Sequence, residues 1–85
     1  MSGTIVLNNA AGRALRRKPA DVKAQDVLDC AGRFAAGDTV YVTFRAIDGG
    51  QYVVATGIVR CENELVRSAE SATVIVRGQD LRLLW

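Results

Sequence analysis

The residues of this 85-residue chain that are best suited to ligand chemistry are five cations near its amino terminus. Arg13, Arg16, Arg17, Lys18 and Lys23 crowd the first quarter of the sequence, and most of the nine acidic residues follow them. Arginine and lysine bind phosphate oxygens, and arginine adds a forked pair of donors. The net charge of only +2 nevertheless means that composition alone favours a solvated role for these side chains.

Three aromatic residues offer flat surfaces on which an unpaired base could stack, namely Tyr41, Tyr52 and Trp85. A tyrosine on the outer face of a hairpin is, however, more often a cross-strand packing partner. The sequence leaves both roles open.

The sequence contains few side chains that are suited to catalysis or metal binding. The chain contains no histidine, so it cannot assemble a Ser-His-Asp or a Cys-His pair. Two cysteines without histidine or a CxxC pair also exclude the usual zinc sites. No glycine-rich phosphate loop follows a strand, and the acids suit turns and helix ends. We therefore predict no catalytic residue, no metal site, no cofactor and no independent enzyme.

Cys30 and Cys61 lie in apolar surroundings, where a buried reduced thiol is the commonest role and a disulfide is the alternative. The amino terminus has no secretory pattern, and no apolar run is long enough to cross a bilayer. The sequence thus predicts a cytoplasmic protein without a membrane partner, and its length predicts one domain over residues 1–85.

A short helix carries most of the cations. The segment AAGRALRRK places Ala11, Ala14 and Leu15 on one face and the arginines largely on the other, which predicts an amphipathic helix of two to three turns. Asn8 or Asn9 is suited to cap its start, and Pro19 should end it. Gly12 lowers its intrinsic stability by roughly 1 kcal/mol relative to alanine, so tertiary packing must support it.

The strongest strand signal is a hairpin. TVYVTFRAI and QYVVATGIVR are rich in β-formers and are separated by Asp-Gly-Gly. Alternation predicts one face with Val40, Val42 and Phe44 and another with Tyr41, Thr43 and Arg45. Gly57 in the returning strand indicates a bulge or a close backbone approach.

The other elements are shorter. We predict strands at Thr4–Leu7, around Val27–Cys30 after a single helical turn, and at TVIVR, with a short helix at ENELVRSA. A turn at Gly78 is expected before the final LRLLW stretch. These elements predict a mainly β fold with short helices (α+β), in which a small barrel or sandwich packs against one amino-terminal helix.

The ordered segments SGTIVLNNAAGRAL, AGRFAAGDTVYV, ATGIVRCENELVR and TVIVRGQDLRLL resemble a PUA domain, most closely the one at the carboxyl end of bacterial glutamate 5-kinases. The resemblance covers nearly the whole chain. It implies a PUA-like pseudo-β-barrel with one amino-terminal helix packed against it. The motif residues that define it best are Gly32, Phe34, Gly37, Asp38 and Gly57.

Two departures from the family pattern stand out. KPADVKAQDV replaces the family's Ser-Leu-Leu-Pro-x-Gly segment after the first helix, and the segment before the final strand is shorter than usual. A SAF-type β-clip domain is the rival fold, but the Gly-Thr-Ile opening and the closing strand favour the PUA type.

The resemblance also carries functional expectations. PUA domains bind RNA, often tRNA-like, in a groove beside the first helix, which implies phosphate contacts at a set of basic residues: Arg13, Arg16, Arg17, Lys18, Lys23, Arg33 and, more weakly, Arg77. The kinase resemblance implies an amino-acid kinase domain as a partner in cis. The alternative is a structural or regulatory domain that docks on a kinase or another protein through an apolar patch that includes Leu83 and Trp85. The oligomeric state stays open.

Overall fold

The computed structural model describes residues 3–84. Its strands and helices, in chain order, are β1 (Gly3–Leu7), α1 (Asn9–Arg17), β2 (Val22–Lys23), a 3-10 turn (Ala24–Asp26), β3 (Val27–Gly32), β4 (Thr39–Arg45), β5 (Gln51–Val59), α2 (Asn63–Ser68) and β6 (Val74–Leu83). The predicted mainly β fold with short helices is confirmed. Trp85, one of the predicted stacking residues, lies outside the described residues.

The sheet within residues 3–84 has six strands in the order β2-β6-β5-β4-β1-β3. β1 runs parallel to β4, and the other neighbours are antiparallel. β2 and β3 are thus the two outer strands, although only the 3-10 turn separates them in sequence. A flat sheet would place these strands about 24 Å apart, whereas the intervening chain reaches at most about 14 Å. The sheet must therefore curl into a barrel-like shape.

The β4–β5 hairpin forms as predicted, and its Asp-Gly-Gly turn is closed by the N–H of Ala46 on the carbonyl of Gly50 at 2.8 Å. The pairing shifts by one residue between Val42 and Thr43, where β5 carries an extra residue. Thr43 is buried, although Tyr41 and Arg45, which alternation places on the same face, are exposed. Its hydroxyl donates to the carbonyl of Ile5 at 3.1 Å, which satisfies the buried group.

β6 differs from the sequence prediction. No turn interrupts it at Gly78, and the strand runs on to Leu83. The N–H of Gly78 instead donates to Oδ1 of Asp21 at 2.8 Å. The pairing of β5 with β6 is irregular after Gly57, but the extra residues lie in β6. A Cβ at Gly57 would lie 2.8 Å from Cγ1 of Val76, so the structure shows the close approach that was one of the two predicted roles.

The core lies inside the curled sheet and under α1. Its members are apolar side chains from every strand and both helices: Ile5, Leu7, Leu15, Val22, Cys30, Phe34, Val40, Val42, Phe44, Val54, Ala55, Val59, Val66, Ile75 and Val76. Cys30 is buried as a free thiol, which confirms the commonest of the predicted roles. Cys61 is also free, and burial followed by the charge of Glu62 raises the pKa of its partly buried thiol.

The turn before β4 is stabilised by backbone hydrogen bonds and by one carboxylate. Gly37 has a φ of 95°, which an L side chain rarely adopts, and its N–H donates to the carbonyl of Val59 at 2.9 Å. Oδ2 of Asp38 accepts the N–H of Ala35 at 2.9 Å. Glycine and aspartate at these positions therefore shape the entry to β4.

Phe34 is packed at the same end of the barrel. Its ring is buried, and its backbone exchanges hydrogen bonds with Asn63, whose Oδ1 accepts from Phe34 and whose N–H donates to the Phe34 carbonyl. These contacts join the start of α2 to the segment that leads from β3 into β4.

Candidate nucleic-acid interface

The helix α1 is placed by its cap and by one close contact with the sheet. Oδ1 of Asn8 accepts the N–H of Ala11 at 2.8 Å, which confirms one of the two predicted caps. A Cβ at Gly12 would lie 2.2 Å from both Cβ and Cγ of Phe44, so only glycine allows this approach. Leu15 fills the core one turn later, whereas Ala14 is exposed although the pattern placed it on the apolar face.

The outer face of α1 is basic, as the sequence predicted. Arg13, Arg16, Arg17 and Lys18 are all exposed. Arg16 and Arg17 lie in the last turn, where the partial negative charge of the helix end stabilises cations. The second half of α1 and the residue after it therefore carry four exposed basic side chains.

A cleft of about 400 Å³ lies between α1 and the β4–β5 hairpin. Six residues line it: Asn9, Arg13, Arg16, Phe44, Ala46 and Tyr52. The helix wall is polar and basic and the hairpin wall is aromatic. Base stacking and phosphate binding require this combination of groups.

Tyr52 is held firmly on the hairpin wall. Its hydroxyl donates to Oδ2 of Asp48 at 3.1 Å, and Oδ1 of Asp48 accepts the N–H of Gly50 at 2.7 Å. The hydrogen bond to Asp48, followed by the charge of Asp48 and slight desolvation, raises the pKa of Tyr52 above its ordinary value. The Phe44 and Tyr52 ring centroids are 5.8 Å apart at 40°, so the two aromatics support one another.

The remaining predicted cations lie elsewhere. Lys23 is half-buried in β2, and Arg77 on β6 forms an ion pair with Asp80 at 3.0 Å. Arg77 also borders a second depression of about 440 Å³ together with Asp21 and Arg60. Arg60 was not among the sequence candidates, because an arginine directly after a strand carries no distinguishing pattern.

Arg33 lies at the end of the barrel opposite α1. The preceding Gly32 pairs with Gly3 at the start of β1, whereas α1 follows the end of β1, about 13 Å away along the strand. The depression that Arg33 borders is also lined by three acids, Asp38, Glu62 and Glu64. The structure therefore separates Arg33 from the α1 cations and surrounds it with opposite charge.

The two tyrosines that were predicted as stacking residues also differ in position. Tyr52 lines the cleft and Tyr41 does not, although the two are similarly exposed, at 44% and 42%. Residues 3–84 hold no group of three or more His, Cys, Asp or Glu side chains that could bind a metal ion. None of the helices in this part of the chain is both long and apolar enough to span a membrane.

The fold is found in solved PUA structures. A PUA domain from Aeropyrum pernix K1, solved as a tartrate complex, superposes with a TM-score of 0.66 and 20% identity over 94% of this chain. NSun6 from Pyrococcus horikoshii, solved with SFG, superposes with a TM-score of 0.66 and 23% identity over 87% of this chain. A conserved PUA domain protein from Thermoplasma acidophilum superposes with a TM-score of 0.64 and 17% identity over 87% of this chain.

The match extends over only part of each of these proteins, because it covers 45%, 18% and 48% of their chains. No protein-family model matches the sequence, and no curated protein matches it. At these identities the likeness establishes the architecture. The chain has a PUA-like fold, which confirms the fold that the motifs predicted.

Proposed function

We propose that this chain is an RNA-binding module of PUA type. The observation that carries the proposal is the exposed basic face of α1 beside a cleft with an aromatic wall. Arg13 and Arg16 border the cleft, and Arg17 with Lys18 extend the positive surface beyond it. Phosphate contacts from such a row position a nucleic acid without reading its sequence.

Two further observations support this proposal. The chain has a PUA-like fold, and the resemblance to PUA domains implies an RNA groove beside the first helix, which is the basic helix α1 here. Among residues 3–84, the side chains that line the cleft include no carboxylate that would oppose an approaching phosphate. Three of the predicted cations contribute less to the proposed surface. Lys23 is half-buried, Arg33 has acids nearby, and Arg77 forms an ion pair.

The larger protein remains part of the proposal. The glutamate 5-kinase resemblance places the module beside an amino-acid kinase domain in cis, in a cytoplasmic protein. The module has no catalytic role of its own in this proposal.

The experiment is a titration of the domain with bulk tRNA at two salt concentrations, followed by amide chemical shifts. We expect shifts from Asn9 to Lys18 and in the hairpin near Tyr52, and an affinity that falls steeply with salt as counterions are released. Absence of shifts at low salt would contradict the proposal.

Arg13→Gln and Arg33→Gln form a matched pair of variants, because each removes one exposed positive charge. Arg13→Gln should reduce the slope of log affinity against log salt by about 1, whereas Arg33→Gln should leave it nearly unchanged. Equal effects of the two changes would indicate diffuse attraction to the whole molecule instead of an interface at α1.

A second candidate is a regulatory domain that docks on a kinase domain or another protein. It is favoured by the exposed apolar side chains of Val53, Ile58 and Leu84, which are 40%, 43% and 52% accessible. Leu83 is half-buried. This candidate predicts tRNA affinity no higher than the non-specific level, so the same titration decides between the two.

A further inference from the structure

The two walls of the α1 cleft differ in kind. Asn9, Arg13 and Arg16 are spaced four and three residues apart, so they project from one face of α1. Phe44 and Tyr52 form the facing wall, together with Ala46, which directly follows β4 at the start of the hairpin turn. A ligand in this cleft would therefore meet hydrogen-bond donors on one side and ring surface on the other.

The Tyr52 ring is fixed before any ligand arrives. Asp48 holds its hydroxyl at one carboxylate oxygen and the N–H of Gly50 at the other. Phe44, which is 4% exposed, packs against the ring from the core side. A ring that is already immobilised loses little conformational entropy on stacking, so its contacts contribute more fully to affinity.

Arg13, one of the two cations of the cleft, is available to an anion. Arg13 is exposed, and within residues 3–84 no hydrogen bond or ion pair engages its side chain. Arg16 adds a second positive charge on the same face. The amide of Asn9 can both donate and accept, as the edge of a nucleobase requires.

The dimensions select among nucleic acids. A cleft of about 400 Å³ lies at the small end of the range of ligand sites, and a double helix cannot enter it. A base inside a duplex also has no exposed face to offer Tyr52, whereas a base in a loop or at an end does.

We propose that the α1 cleft binds one unpaired nucleotide of an RNA strand. Its base stacks on Tyr52, and its phosphate lies against Arg13 and Arg16. This inference rests on the RNA-binding function proposed above and adds a requirement for single-stranded character. It assigns Tyr52 the stacking role and gives Asp48 the task of positioning the ring.

The test compares three probes under identical salt conditions: a single-stranded RNA tetranucleotide, a blunt-ended RNA duplex and adenosine monophosphate. Binding is followed by the ring resonances of Tyr52 and by affinity. Tyr52→Ala removes the stacking surface, and Tyr52→Phe keeps the ring while removing the hydroxyl. Tyr41→Ala is the matched control, because Tyr41 is an equally exposed tyrosine on β4 outside the cleft.

We expect the tetranucleotide to bind better than the duplex and to shift the Tyr52 ring. Tyr52→Ala should weaken tetranucleotide binding by about fivefold to 150-fold, the usual range for one stacked base. Tyr52→Phe should weaken binding less, by about twofold to fivefold, because the ring remains but loses the hydrogen bond to Asp48 that positions it. Tyr41→Ala should remain within about twofold of the unmodified protein. A loss in Tyr52→Phe that Tyr41→Ala does not show keeps the test valid if the alanine variant proves poorly folded.

Three results would overturn the inference in distinguishable ways. Salt-dependent binding of strand and duplex alike, with Tyr52 unmoved, would leave the RNA-binding function standing without a nucleotide site. Adenosine monophosphate binding as tightly as the tetranucleotide would indicate a site for free nucleotides. No binding of any probe would remove both the cleft assignment and the proposed function.

Discussion

The two ends of the barrel use similar residues to different effect. At the α1 end, Arg13 lines a cleft with Phe44 and Tyr52, and no acidic side chain of the described part of the chain lines it. At the α2 end, Arg33 lies beside the buried Phe34 and shares its depression with Asp38, Glu62 and Glu64. An exposed arginine next to an aromatic residue occurs at both ends, so residue type does not distinguish them. The accessible ring of Tyr52 and a cleft lining without acidic side chains among residues 3–84 do.

Aspartates at the two ends show the same division. The carboxylate of Asp38 accepts the backbone N–H of Ala35, so this side chain supports the local turn. Asp48 accepts both a backbone N–H and the Tyr52 hydroxyl, so it couples the hairpin turn to the cleft wall. The α2 end is thus organised for architecture, while the α1 end combines architecture with an accessible surface.

The largest expected effect concerns Phe34. Phe34→Ala should lower the free energy of unfolding by about 3–5 kcal/mol, because it empties a buried aromatic site. Urea denaturation measures this loss, and Phe34→Leu should show a much smaller one. If the folded fraction of Phe34→Ala loses tRNA affinity, the ends are not independent and the comparison fails.

Gly12→Ala should have the next largest effect. Alanine favours a helix by about 1 kcal/mol over glycine, but its Cβ would overlap the Cβ and Cγ atoms of Phe44. Such overpacking costs about 1–3 kcal/mol, so we expect a net loss of stability. We also expect altered amide shifts along the cleft.

Ala10→Gly provides the control for this change on the exposed side of α1. It should cost about 1 kcal/mol through helix propensity alone and leave the hairpin shifts unchanged. Stabilisation by Gly12→Ala would contradict the close contact between α1 and β4.

Asp38→Ala should produce a smaller loss of about 1 kcal/mol, because the turn loses the acceptor for the Ala35 N–H. Thermal or urea unfolding detects this change. Since Asp38 is at the α2 end, tRNA affinity should not fall. An affinity loss would extend the proposed interface around the barrel.

The smallest effect is a titration at the α1 end. In a Tyr41→Phe background, the absorbance change of Tyr52 should occur above its ordinary pKa of 10.0, and Asp48→Asn should move it back towards that value. Because the folded pKa is raised, the folded state retains the proton more strongly. The associated stability is therefore present below pH 10 and disappears as the pH rises through the folded pKa. An unchanged titration in Asp48→Asn would show that Asp48 does not hold the ring.

Local sequence patterns determined the elements of this protein. The Asn cap, the apolar spacing and Pro19 defined α1, and Asp-Gly-Gly between β-rich runs defined the hairpin. The basic face of α1 was also predictable, because helix periodicity assigns faces without knowledge of neighbours. The order of the PUA-like motifs along the sequence was enough to predict the fold.

Contacts between distant segments determined the rest. The buried Thr43 donates to Ile5 because β1 lies beside β4, and Gly78 in β6 donates to Asp21, which precedes the neighbouring strand β2. From the sequence alone, Gly12 only lowers the helix stability of α1, whereas the structure shows that it allows α1 to pack closely against Phe44.

The candidate site shows the same limit most clearly. The sequence by itself supplied the arginines, the tyrosines and the helix and strands that carry them. Only the tertiary structure decided that Arg13 would face Tyr52 while Arg33 would face three acids. The physical reason is that periodicity and turn chemistry act over a few residues, whereas the neighbours of a side chain across a cleft are set by strand order and helix docking.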